Sequence, residues 1–309
     1  MIEGVILAFV PALLLMALGA SLRAASFVGD GFWPGAERIS YFILVPCLFI
    51  HSLSMTDLTG VPVAQLAPIL AAPIVLASAV LVAFRPLLSV DGPGFTSVFQ
   101  GSIRFNNYLG ATIASGLYGA TGLALAAVAT AVIVPTVNIL CVLIFARFGP
   151  IKPSIAGIFR STAFNPLITG CLIGVLLQIA KVRLPVGLEP AFKSLGAASL
   201  PLGLLCVGAA FKGGDLLRSF RPAILASLVK FALLPLIAAA VLSYYRVNGP
   251  AAGVSLLYLT LPTASASYIV AKQMGGDAPM MAGIVALQTL LGIIITPLVL
   301  VAVFQLTSA

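Results

Sequence analysis

Residues 104–108 read Arg-Phe-Asn-Asn-Tyr in the middle of the apolar stretch GSIRFNNYLGATIASGLYG. A guanidinium, two carboxamides and a phenol are too costly to face lipid there, so they must turn toward protein or water. The chemistry open to Arg104, Asn106, Asn107 and Tyr108 is non-covalent. A planar guanidinium grips a carboxylate through two parallel hydrogen bonds, and the amides add donors. A second polar interruption, YLTLPTASASYIVAKQMGGD, carries Pro262, which removes an amide donor, followed by the hydroxyls of Thr263, Ser265 and Ser267. A helix that restarts after a break presents free N–H groups and the positive end of its dipole, so an anion is the natural guest. The structural alternative for Arg104 is snorkelling, or capping of the carbonyls at the broken helix.

None of the acidic residues, Glu3, Asp30, Glu37, Asp57, Asp91, Glu189, Asp215 and Asp277, falls centrally in an apolar run. Arg104 therefore has no evident counter-ion in the sequence. His51, followed by Ser52, together with Asn138, Lys272 and Gln288, are secondary candidates for the same site. Each also has a structural reading: a packed imidazole, amides that join helices, and a lysine that snorkels from a span end. Lys230 lies nearer the middle of its run and has no assigned role. No catalytic residue is expected, because hydrolysis within a membrane needs a Ser–His pair or two aspartates, and the chain offers one histidine with acids near the span ends. A G-x-x-x-x-G-K-[ST] run is also missing, which argues against nucleotide-driven pumping. Cys47, Cys141, Cys171 and Cys206 lie in apolar segments without metal-ligand spacing and read as free buried thiols, so no metal and no cofactor is implied.

The elements that must position these groups follow from composition. With 61% hydrophobic and 8% charged residues and a mean hydropathy of +1.18, the chain cannot present a water-facing surface. The net charge of +8 has no basic stripe on a folded face to go with it, which excludes a nucleic-acid partner; the bilayer is the solvent. A crossing helix needs about 20 mostly apolar residues. Stretches of that size run approximately over 4–22, 39–56, 66–84, 95–118, 123–146, 163–180, 194–211, 222–243, 251–273 and 280–304. The fold class expected is an all-α integral membrane protein of ten spans, with the shortest connection at Gly119–Gly122. The N-terminal run has neither a basic leader nor a small-residue cleavage site and reads as the first span.

Odd-numbered loops carry nine Lys and Arg residues against four in the even-numbered loops, which places the odd loops in the cytoplasm. Both termini then face the periplasm or exterior. Lys181, Arg183 and Lys193 of the sixth loop run against that assignment. Half of 309 is about 155, and a shift of 155 maps Pro11 onto Pro166, Gly19 onto Gly174 and Pro46 onto Pro201, while Asn107 falls on Pro262. Residues 1–150 and 151–309 therefore read as two five-helix repeats within one membrane domain. An odd number of spans per half inverts the second, and interruptions at equivalent places in two such halves point to a midplane binding site.

On RFNNYLG at 104–110, LYG at 117–119 and LPTASASYIVAKQMGGD at 261–277, the sequence resembles the auxin efflux carrier family over essentially its whole length. Bacterial members of that family are described as permeases for malate, malonate and related carboxylates. The resemblance implies a scaffold and a transport domain with broken, crossing helices 4 and 9, homodimers, elevator-type movement and an inner-membrane location. It also implies substrate contacts at Asn106, Asn107, Tyr108, Pro262, Thr263, Ser265 and Ser267. The chain departs from plant carriers in lacking proline in the first break and in lacking a long hydrophilic central loop. The expected function is a secondary transporter of a small organic anion or carboxylate, with the coupling ion, proton or sodium, left open. The alternatives are a sodium-coupled symporter resembling bile-acid carriers, and a sensor that binds the anion without moving it.

Overall fold

Apolar runs inside a bilayer must satisfy their own main-chain polar groups, and helices do so segment by segment. In the computed structural model, which describes residues 2–55, 63–150, 166–209, 220–264 and 266–307, every regular element among them is helical. In chain order the α-helices are α1 (Ile2–Ala24), α2 (Phe32–Ile39), α3 (Val45–Met55), α4 (Val63–Phe84), α5 (Gly92–Ile103), α6 (Asn107–Phe148), α7 (Pro166–Ile179), α8 (Leu188–Ala209), α9 (Phe220–Leu228), α10 (Leu234–Tyr245), α11 (Gly249–Thr260), α12 (Ala266–Met274) and α13 (Ala278–Thr307). Short π-helical turns join α2 to α3 (Ser40–Leu44) and α9 to α10 (Val229–Leu233).

Among the described residues, six stretches are long and apolar enough to cross a membrane: Phe32–Met55, Ala64–Leu87, Gly92–Phe148, Leu188–Ala209, Phe220–Tyr245 and Ala278–Ala302. Leu13–Ala24 and Ile168–Ile179 are shorter apolar helices. The Gly92–Phe148 stretch has 57 residues and is not one straight rod. Its helix stops between Ile103 and Asn107, and α6 kinks at Gly119, where φ is 59° and ψ −138°. Only glycine takes that backbone conformation without a Cβ penalty, which is why the kink sits at the predicted Gly119–Gly122 connection.

The chain divides into two compact units, each built from non-contiguous segments. Unit 1 comprises Met1–Val63, Asn107–Ala131 and Ala163–Phe211. Within it α1 packs on α8, and α3 packs on both α7 and α8. Glycines allow these backbones to touch, as is usual where lipid removes the hydrophobic drive for helix association. A Cβ on Gly208 would overlap the carbonyl oxygen of Met16, and one on Gly170 would lie 2.9 Å from the Cα of Pro46. Trp33 and Ala36 pack with Cys206 and Ala209, and Arg23 ties the same end by donating to the Ala209 carbonyl at 2.9 Å.

Unit 2 comprises Ala64–Asn106, Val132–Thr162 and Lys212–Ala309. Its core joins Val98 of α5, Ala223 and Ala226 of α9, Ala271 of α12, and Met281, Ile284 and Leu287 of α13. Two of the few carboxylates cap helices here. Asp91 Oδ1 accepts from the Gly94 amide at 2.8 Å, and Asp277 Oδ1 accepts from the Met280 amide at 2.9 Å. Arg85 lies over the rings of Phe95 and Phe148, 5.6 and 5.2 Å from their centroids.

Candidate functional site

The first interruption lies in unit 2. Helix α5 begins at the Asp91 cap and ends when Arg104, whose amide donates to the Gln100 carbonyl at 3.0 Å, turns to extended backbone (φ −72°, ψ 158°). Residues 104–106 are non-helical and α6 starts at Asn107. The Arg104 guanidinium donates from Nη2 to Asn138 Oδ1 at 3.0 Å, so the secondary candidate Asn138 orients it. Its Nε is buried without a hydrogen-bond partner, and among the described residues no carboxylate pairs with it. Asn106 is buried.

The second interruption lies wholly in unit 2 as well. Helix α11 ends at Thr260, Leu261 is extended (φ −67°, ψ 141°), and the helix resumes at Ala266. The freed main-chain groups have defined partners. The Thr263 amide donates to Gln288 Oε1 at 3.0 Å, and Gln288 Nε2 donates to the Gly101 carbonyl at 3.0 Å. One fully buried side chain on α13 thus joins the last turn before the first break to the backbone of the second. Gln100 Nε2 makes a parallel tie to the Ser267 carbonyl at 3.0 Å, and Thr296 Oγ1 donates to the Thr260 carbonyl at 3.1 Å. The Thr263 and Ser267 hydroxyls pair with one another at 3.0 Å. Gly292 makes room for Pro262, since a Cβ there would stand 3.0 Å from the proline Cγ. Gln100 Oε1 is buried with no donor among the described residues.

The remaining candidates divide between the units. Asn107 and Tyr108 open α6 within unit 1, where Thr130 Oγ1 donates to Asn107 Oδ1 at 2.6 Å. The Tyr108 ring lies where a side chain on Gly203 would be, and its hydroxyl is buried without a partner among the described residues. Also in unit 1, Ser52 is buried and His51 Nε2 is buried with no hydrogen-bond partner among the described residues. Lys272 is exposed in the last turn of α12, as expected for a snorkelling lysine. Ser265 lies outside the described residues. The four cysteines are free and buried, and no group of His, Cys, Asp or Glu among the described residues suits a metal.

Gln100 and Thr130 are the residues that sequence reasoning passed over. Each is a polar side chain on an apolar span, the same signal that drew attention to Asn138 and Gln288. Unit 2 carries Arg104, held by Asn138, at the end of α5, and a second helix end whose main chain is tied by Gln288 and Gln100. That arrangement suits reversible, non-covalent binding, and among the described residues it provides no nucleophile–base pair.

Comparison with known proteins points to membrane transport. The family model described as "Membrane transport protein" matches residues 5–300. A protein of Methanothermobacter thermautotrophicus named an uncharacterized transporter is 22% identical over 294 residues, which cover 93% of this chain and 94% of that one. An integral membrane protein and a transporter rather than an enzyme, the chain belongs to the membrane transport protein family, the auxin efflux carrier family whose motifs its two interruptions resemble.

Proposed function

We propose that the protein is a secondary permease for a small organic anion, a carboxylate, which it moves by elevator-type alternating access. The observation that carries this reading is the tie made by Gln288 between the two interrupted segments, with Arg104 in the same unit and, among the described residues, lacking a carboxylate partner. Broken helices at a repeat interface expose main-chain dipoles to a solute without placing irregular backbone against lipid. The proposal includes ten spans arranged as inverted repeats over 1–150 and 151–309, with helices 4 and 9 broken and crossing. Its support is the match between the predicted apolar runs and the helices, and the length of Gly92–Phe148, enough for two crossings once the kink at Gly119 is counted. The division into two units supports an elevator, with the site carried mainly on unit 2. Homodimers, an inner-membrane location and termini on the periplasmic side belong to the same proposal.

A second reading, sodium-coupled symport, is favoured by one observation: the buried acceptor Gln100 Oε1, without a donor among the described residues, belongs to the side chain that ties the carbonyl of Ser267, whose hydroxyl pairs with Thr263. Oxygen ligands of this kind suit a hard cation. The test is uptake of radiolabelled carboxylates into proteoliposomes, with proton and sodium gradients imposed separately. Saturable uptake supports a permease, and acceleration by sodium alone selects the symport reading. Binding without uptake would make the protein a sensor and refute the permease.

A further inference from the structure

Arg85 and Arg147 stand at the ends of two apolar, outward-facing stripes of unit 2. On α4, Leu76, Val80 and Phe84 recur at every fourth position and are exposed, and a 3-10 turn, Arg85–Leu87, follows and ends on an exposed Leu87. On α6, Ile139 and Leu143 are exposed, and Arg147, four residues on, is exposed in the last turn. A spacing of four keeps side chains on one helix face. An arginine that closes such a stripe lays its methylenes on hydrocarbon and brings its guanidinium to headgroup level. Both guanidiniums meet the same ring. Arg85 lies 5.2 Å from the Phe148 centroid and 5.6 Å from that of Phe95, and Arg147 lies 5.1 Å from Phe148. Phe95 is buried and meets Phe148 edge-on at 5.0 Å, and a Cβ on Gly92 would overlap the Phe148 carbonyl oxygen, so the start of α5 holds the end of α6. Neither arginine forms an ion pair among the described residues, and the carboxylates of Asp91 and Asp277, at this end of α5, cap helices. Contact with a ring orients a guanidinium without neutralising it. Helix C-termini also favour cations, but that serves each arginine alone and gives no reason for a shared ring.

We propose that Arg85, Arg147 and Phe148 form a binding site for the phosphodiester headgroup of an anionic phospholipid. Guanidinium forks match phosphate oxygens, and the shared ring keeps two of them together. The exposed Phe84, Leu87 and Leu143 offer acyl chains an apolar surface that a free phosphate would not use. In the orientation proposed above, both arginines lie on the cytoplasmic side, where basic pockets between membrane helices meet anionic headgroups.

The full chain, purified in a neutral detergent, is titrated with phosphatidylglycerol, with phosphatidylcholine, whose phosphodiester is offset by a positive charge, and with inorganic phosphate. Native mass spectrometry measures bound lipid, and the melting temperature reports stabilisation. Phosphatidylglycerol should bind about tenfold more tightly than phosphatidylcholine. Arg147→Gln and Arg85→Gln should each weaken phosphatidylglycerol about fivefold, the scale of one basic side chain near an anionic surface. Phe148→Leu keeps both charges and should weaken it by a similar factor, because the platform that aligns them is gone. Arg221→Gln is the control for general surface charge. Arg221 is exposed in the first turn of α9 and has no ring contact among the described residues, so its loss should change affinity by less than about twofold. Where Arg85→Gln fails to fold, Arg147→Gln against Arg221→Gln gives the answer, since both positions are exposed. Equal affinity for the two lipids, equal losses in Arg147→Gln and Arg221→Gln, or full affinity in Phe148→Leu overturns the site. Stabilisation by inorganic phosphate as large as that by phosphatidylglycerol overturns the lipid as its occupant. Lipid affinity is read without transport, so a failed permease reading leaves these outcomes unchanged.

Discussion

Replacing Gln288 by Leu tests whether the interruptions are held open by design. The substitution removes two buried hydrogen bonds, one to the Thr263 amide and one to the Gly101 carbonyl, each 3.0 Å long. Neither main-chain group has a helical neighbour to turn to, since Gly101 lies in the last turn of α5 and Thr263 lies in the break. An orphaned buried polar group costs about 1–3 kcal/mol, so the pair should cost about 2–6 kcal/mol. Gln100→Leu is the internal control. It removes one donor, to the Ser267 carbonyl, which sits within α12 and can be served by that helix, and it also removes the unpartnered Oε1. Its cost should be about 0–2 kcal/mol. Reversible unfolding in mixed micelles measures both, and uptake into proteoliposomes measures turnover. Gln288→Leu should be the more damaging by at least about 1 kcal/mol, and its turnover should fall. A Gln288→Leu protein as stable as Gln100→Leu would show that the tie does not hold the two segments, and the reasoning would fail.

Three further outcomes follow. Arg104→Ala should insert and fold yet lose most uptake, with Arg104→Lys recovering part because it keeps the charge without the planar fork; near-native substrate affinity in Arg104→Ala would remove Arg104 from the site. Pro262→Ala should lower turnover more than membrane insertion, by letting residues 260–266 regain helix, and circular dichroism together with uptake checks both. An impermeant thiol reagent applied to intact cells should label a cysteine placed at Ser308 and spare one placed at Lys152; the reverse pattern would invert the proposed orientation.

Much of this architecture is legible without coordinates because hydropathy is a local property. Apolar runs of about 20 residues select helices wherever lipid is the solvent. Pro262 and the RFNNY run mark interruptions in their own segments, and the helices do stop at Ile103 and at Thr260. Gly119 marks its own kink, because the backbone it adopts is closed to other residues.

The partners of the exposed main-chain groups belong to tertiary structure alone. Gln288 reaches Gly101 across 187 positions and Gln100 reaches Ser267 across 167, and no local pattern encodes pairs at such separations. The sequence offers Asn138, Gln288 and Gln100 as equivalent polar residues on apolar helices. Packing makes the first a support for Arg104 and turns the other two into ties across the breaks. Lys230 shows the limit most sharply. Its position near mid-span is written in the chain, whereas its burial in a π-helical turn arises only when that turn packs against α5, α11 and α13. Hydropathy records how much a residue dislikes lipid, and only the assembled interior decides which group meets it there.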